Sequence, residues 1–198
     1  MHKNIIPKIE FCFSSIYNSF FEEYVKLPYS KNKNISTNDI FKKIEIIEKE
    51  WKKIGNKIFK SLTVYTNLKW SEKIIKCYFV KNCIPFSDPL TICPRGNNKE
   101  TINLLIHELI HILIYQNRNN KKVQKMWNFL DKKYKKESML TINHIIVHAV
   151  HSKIYLEYFD QKELNNNIER DKRDKNYARS WMIVNNLGYE KIIDLVKK

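Results

Sequence analysis

Glycine and proline are scarce in this chain, with three and five respectively among 198 residues. Glycine supplies positive-φ turns and proline supplies breaks. Their scarcity argues against a fold of many tight hairpins and for long regular elements, mostly helices. Cysteine is also sparse: Cys12, Cys77, Cys83 and Cys93, none in a C-x-x-C pair. That excludes a disulfide-stapled secreted scaffold, and the four read as free thiols in a reducing compartment. There is no apolar run long enough to span a bilayer. The longest, Leu104 to Tyr115, carries a glutamate and two histidines. No h-region follows Met1-His2-Lys3-Asn4, so neither a signal peptide nor a membrane partner is expected, and a cytoplasmic location follows.

Acidic residues are few, 21 against 36 Lys and Arg, for a formal charge of +15. Such a balance suits a nucleic-acid or acidic partner. Only five of the basic residues are Arg, however, the residue suited to bidentate base and phosphate contacts. The wealth of Lys, Asn and Ile, whose codons are AT-rich, is itself a source of the charge. Hydrophobic residues at 43% and aromatics at 13% are globular values. The length suits one domain over residues 1–198 with a real core.

The apolar spacing predicts a helix over 8–27, stopped by Pro28, and a second from the Ser36-Thr-Asn-Asp39 cap to about Phe59. Phe41, Ile44, Ile47, Trp51, Ile54 and Ile58 would line the inner side of the second. Between 61 and 93 the β-rich runs Leu62–Tyr65, Ile74–Val80 and Leu90–Cys93 predict a small antiparallel sheet. The proline-ringed Asp88–Pro94 would be its edge strand. Helices are expected near 100–117, 120–135, 140–160, 175–187 and 189–197, with 165–175 a polar loop. The fold class is α+β: N-terminal helices, a small antiparallel sheet, then a helical half.

The chemistry sits in Leu104-Leu-Ile-His107-Glu108-Leu-Ile-His111, an H-E-x-x-H pattern. Two histidines at i and i+4 project from one helix face and can share a zinc ion at ~2.0–2.1 Å, with the intervening glutamate placed to take a proton from water. Six histidines and fourteen glutamates give roughly a one-in-a-hundred chance of a random match. The surrounding helix is apolar nearly all round, so these polar groups should be buried, which costs several kcal/mol unless a metal or other partner is present.

A zinc hydrolase needs a third protein ligand. Thr141-Ile-Asn-His144-Ile-Ile-Val-His148-Ala-Val-His151 places three more histidines on one helical face, so five of the six lie in two helices. His148, between Val147 and the small Ala149, is the preferred third ligand and His144 the alternate. His151 reads as a partly exposed or core histidine. Glu157 and Glu137 offer carboxylates, the latter in a solvated Lys-Lys-Glu-Ser context. Tyr177 could polarise a substrate carbonyl, although with Trp181 it also reads as a helix-packing pair. Trp51, Trp70 and Trp127 read as core or interface anchors.

This arrangement resembles the zincin metallopeptidase superfamily, most closely its minimal, gluzincin-like single-domain members. The parts that match are the H-E-x-x-H helix, a short strand just before it at Pro89–Cys93, and a later ligand-bearing helix. The resemblance covers roughly residues 60–160. It implies a zincin-like fold, His107 and His111 as zinc ligands, Glu108 as general base, and substrate backbone bound along the edge strand. Gluzincins use a glutamate as third ligand, often after an Asn and followed four residues later by an acid. Here Asn143-His144 and His148 hold the comparable positions. The metzincin extension is absent, since Ile114 and Asn117 stand where Gly and His would be. The zincins that act at DNA place a third His closer to the first pair, and none occurs between residues 112 and 143.

The expected activity is that of a zinc-dependent hydrolase, a peptidase acting on a peptide or protein by metal-assisted attack of water. The competing expectation is a basic nucleic-acid-associated domain in which zinc is structural.

Overall fold

The computed structural model describes residues 5–24, 35–94 and 96–197. The elements are β1 (Lys8–Phe13), α1 (Ser15–Tyr24), α2 (Thr37–Thr66), β2 (Ile74–Phe79), β3 (Phe86–Ser87), β4 (Leu90–Ile92), α3 (Asn98–Gln116), α4 (Lys121–Lys133), α5 (Met139–Tyr158), α6 (Gln161–Asp171), α7 (Lys175–Leu187) and α8 (Tyr189–Lys197). The class is α+β, with a four-stranded sheet ordered β1-β2-β4-β3. The chain groups into two compact units: Met1–Phe59 with Trp70–Ile112, and Lys60–Lys69 with Leu113–Lys198.

In the first unit the expected 8–27 helix is divided. Residues 8–13 form β1, which pairs in parallel with β2 over six residues, Lys8↔Ile74 to Phe13↔Phe79. Ser14 then starts α1: its carbonyl accepts from Asn18 N–H at 2.9 Å and its Oγ from Tyr17 N–H at 3.3 Å. The expected stop at Pro28 lies outside the described residues. The sheet is mixed rather than antiparallel, because β4 also runs parallel to β2 and only the two-residue β3 is antiparallel. Parallel neighbours need a long crossover, and the stretch holding α1 and α2 provides it between β1 and β2. The expected edge strand, β4, is internal, since β3 pairs with it through Phe86↔Thr91 and Ser87↔Leu90.

α2 is longer than expected. Ser36 and Asp39 form its capping box, with Asp39 N–H donating to Ser36 Oγ at 3.1 Å and Ser36 N–H to Asp39 Oδ2 at 3.1 Å. The stretch Leu62–Tyr65, expected as strand, continues this helix to Thr66, and Asn67 ends it at φ 55°. Leu62 is buried with Ile58 and Phe59 one turn back, so helical burial outweighs the β-branched propensity of Thr63 and Val64. Ile40, Ile47, Trp51 and Ile58 are buried as an inner face, whereas Phe41 is 49% exposed and meets the edge of Phe13 at 5.4 Å. Trp51–Phe59 and Phe59–Trp70 make edge-to-face contacts at 5.6 and 5.0 Å.

In the second unit α5 is the central helix, packed by α6, α7 and α8. It is buried nearly all round, which suits its aliphatic residues Ile142, Ile145, Ile146, Val147, Ala149 and Val150 and encloses His144, His148 and His151 among them. Residues 161–171, mostly read as a polar loop, form α6. Asp160 caps it, accepting from Glu163 N–H at 2.8 Å, and Leu164 packs with Tyr155 and Trp181. No helix among the described residues is long and apolar enough to cross a membrane.

Candidate metal centre

The helix that carries the motif is set by its first turn. Asn97 and Glu100 form a reciprocal capping box: Glu100 N–H donates to Asn97 Oδ1 at 2.9 Å and Asn97 N–H to Glu100 Oε2 at 3.2 Å. Gly96, at φ 67°, lets the Glu100 carboxylate close over the backbone, since a Cβ there would lie 1.5 Å from Oε2. Ile102, Leu105, Ile106, Leu109 and Ile110 are then buried, leaving Leu104, His107 and His111 as a half-buried stripe that runs on to exposed Tyr115.

His107 and His111 turn their rings together. Nε2 lies 3.3 Å from Nε2, with ring centroids 5.1 Å apart. Two nitrogens each ~2.0–2.1 Å from a tetrahedral zinc are separated by about 3.3 Å, so the pair has the spacing of two ligands to one ion. Glu108 stands on the flank of this stripe, only 6% exposed. Burial raises its carboxyl pKa to about 8.

On α5, His144 donates Nδ1–H to the Leu140 carbonyl at 2.8 Å, because a carbonyl only accepts. That bond fixes the tautomer and puts the lone pair on Nε2, the form in which imidazole ligates a metal. Burial lowers the His144 pKa, with the Leu140 hydrogen bond and Asp174 opposing, so the neutral form is favoured. The Tyr177 ring lies 4.3 Å from the His144 ring.

Within the second unit, their partners set His144, the alternate, apart from His148. His148 is fully buried in a different setting. Its Nδ1 meets Ser180 Oγ at 3.0 Å, its ring stacks on Trp181 at 4.1 Å and 7°, and its Nε2 faces Asp171 Oδ2 at 3.9 Å. Asp171 in turn accepts from Trp181 Nε1–H at 3.0 Å and Asn167 Nδ2–H at 3.0 Å. His151 is a core histidine beside the Tyr155 ring, Glu137 pairs with Arg179 at 2.7 Å, and Glu157 is exposed.

Sequence reasoning missed the Ser180–His148–Asp171–Trp181 network. Asp171 fell in a stretch read as loop, and the one available signal was a tryptophan one turn after Tyr177 on α7.

Paired imidazoles beside a buried carboxylate are a donor set suited to zinc, less so to the all-oxygen preference of magnesium or calcium. No family model, curated protein or solved structure matches the chain.

Proposed function

We propose that the chain is a zinc-dependent hydrolase, a peptidase of zincin-like design, with His107, His111 and His144 holding the metal and Glu108 serving as general base. The observation that carries this reading is the pair of Nε2 atoms 3.3 Å apart on α3 beside a buried glutamate. In the neutral pair one Nε2–H can donate to the other. With both lone pairs turned inward, the same spacing suits a shared cation. The Leu140 bond to His144 supports the assignment, since it presents the remaining ring nitrogen as a neutral donor. The four free thiols suit a reducing compartment, which supports a cytoplasmic setting.

A bound zinc would supply Lewis acidity, polarising a carbonyl and acidifying a water to a pKa of ~7. Glu108 accepts a proton from the attacking water at a carboxylate oxygen and returns it to the amine nitrogen as the peptide bond breaks. Burial alone would keep this carboxyl protonated near neutrality. A cation within a few ångströms favours the charged form, so the base is active when the histidines are loaded. His107, His111 and His144 orient the site and, being neutral, leave the positive charge on the ion.

The test is Glu108→Gln in zinc-loaded protein, assayed on unfolded casein and on a mixed fluorogenic peptide pool. The variant keeps its zinc and loses hydrolysis by ~10²-fold or more. Undiminished hydrolysis removes Glu108 from the mechanism.

A further inference from the structure

α3 carries another buried polar group that the proposed mechanism does not use. Asn103 is 3% exposed, and its Oδ1 has no hydrogen-bond partner among the described residues. Buried Ile102, Leu105, Ile106, Leu109 and Ile110 around it are aliphatic, and buried Thr101 donates its hydroxyl to the Asn97 carbonyl at 3.3 Å. A buried amide oxygen left unpaired destabilises the fold, and asparagine is a weak helix former. On stability alone a leucine would serve better at this position.

The helical wheel locates this polar atom relative to the histidines. At 100° per residue Asn103 lies ~40° from His107 and ~80° from His111, on the flank opposite Glu108, which falls ~140° round in the same direction. It stands one turn before His107, about 6 Å along the axis. The two buried polar side chains thus border the half-buried histidine stripe on either side. An amide oxygen accepts and does not donate, so its complement is an N–H. A peptide chain crossing the histidine stripe carries such a group at every residue except proline.

We propose that Asn103 is a substrate-binding residue whose Oδ1 accepts a hydrogen bond from a backbone N–H of a bound peptide. The substrate class is therefore an extended polypeptide rather than a small ester or amide. This rests on the peptidase reading of the same helix. Asn103 acts by positioning: it holds the chain in register while Glu108 handles the proton. The polar atom that weakens the folded protein on its own becomes satisfied when peptide binds.

The test uses zinc-loaded full-length protein and three probes: acetohydroxamate, N-acetyl-dileucyl hydroxamate, and the latter with its peptide nitrogens methylated. Asn103→Ala and Asn103→Leu are compared with wild type by calorimetry and thermal melting. Wild type binds the dileucyl probe about 10–100-fold more tightly than either variant does, and the methylated probe binds wild type as weakly as the dileucyl probe binds the variants. Acetohydroxamate binds all three proteins equally. Asn103→Leu melts at or above the wild-type temperature, because it removes an unpaired polar group. Equal dileucyl affinity in wild type and both variants overturns the proposal, as does a lower melting temperature in Asn103→Leu with probe affinities unchanged, which makes Asn103 a structural residue. If acetohydroxamate fails to bind wild type at all, the zinc reading fails and this inference falls with it.

Discussion

Replacing Gly96 by alanine tests whether the start of the motif helix is held as described. A non-glycine residue at φ 67° costs ~1–2 kcal/mol from backbone strain. The new Cβ would also lie 1.5 Å from Glu100 Oε2, so the carboxylate must leave and the bond from Asn97 N–H at 3.2 Å is lost. That removes about a further 0.5–1.5 kcal/mol. The sum is about 1.5–3.5 kcal/mol, or roughly 3–14 °C in melting temperature for a protein of this size. Urea melts followed by circular dichroism measure it. Glu100→Ala loses the bond without the clash, and the double variant is less destabilised than the sum of the two singles, because the clash has no partner left. If Gly96→Ala melts with the wild type, the capping account of α3 is wrong.

Two further predictions concern the thiols and the metal. Ellman's reagent on native protein labels Cys12 first, since it is only partly buried. Cys77, Cys83 and Cys93 are buried, burial pushes the Cys77 thiol well up, and the three react only on unfolding. Immediate labelling of all four would show the sheet region to be open. Stripping zinc with a chelator lowers the melting temperature and re-adding zinc restores it. At a thousandfold excess over Kd the metal contributes about 4 kcal/mol, roughly 8–16 °C, and no shift in either direction would argue against a site that binds only the folded state.

The H-E-x-x-H pair was legible because its geometry is local: four residues of helix fix two histidines and a glutamate without help from the rest of the fold. The third ligand was harder to read. On the wheel His144, His148 and His151 share one face, and nothing within α5 ranks them. What separates them is Leu140, which engages His144, and Ser180, Trp181 and Asp171, which engage His148 from α7 and α6. β1 was misread because Ile9 and Phe13 also satisfy a helical period, and the partner that makes it a strand begins 66 positions later, at Ile74. Leu62–Tyr65 show the reverse error, a β-rich run kept helical because it continues a buried helix face. The helix α6 was hidden by its composition. Its asparagines and charges look like loop, yet Asp160 caps it and Leu164 anchors it. The general outline, a mostly helical chain with one small sheet and the motif on a buried helix, followed directly from the scarcity of glycine and proline and the length of the apolar runs.

In the proposed site His107, His111 and His144 hold one zinc beside Glu108, and His148 is structural. The direct measurement is zinc per chain by elemental analysis in wild type, His144→Ala and His148→Ala, each loaded with excess zinc and dialysed. About one zinc is expected in wild type and in His148→Ala, and a loss of most of it in His144→Ala. Zinc retained by His144→Ala and lost from His148→Ala would restore His148 as the ligand, and a wild type that holds no zinc would rule out the metal site altogether.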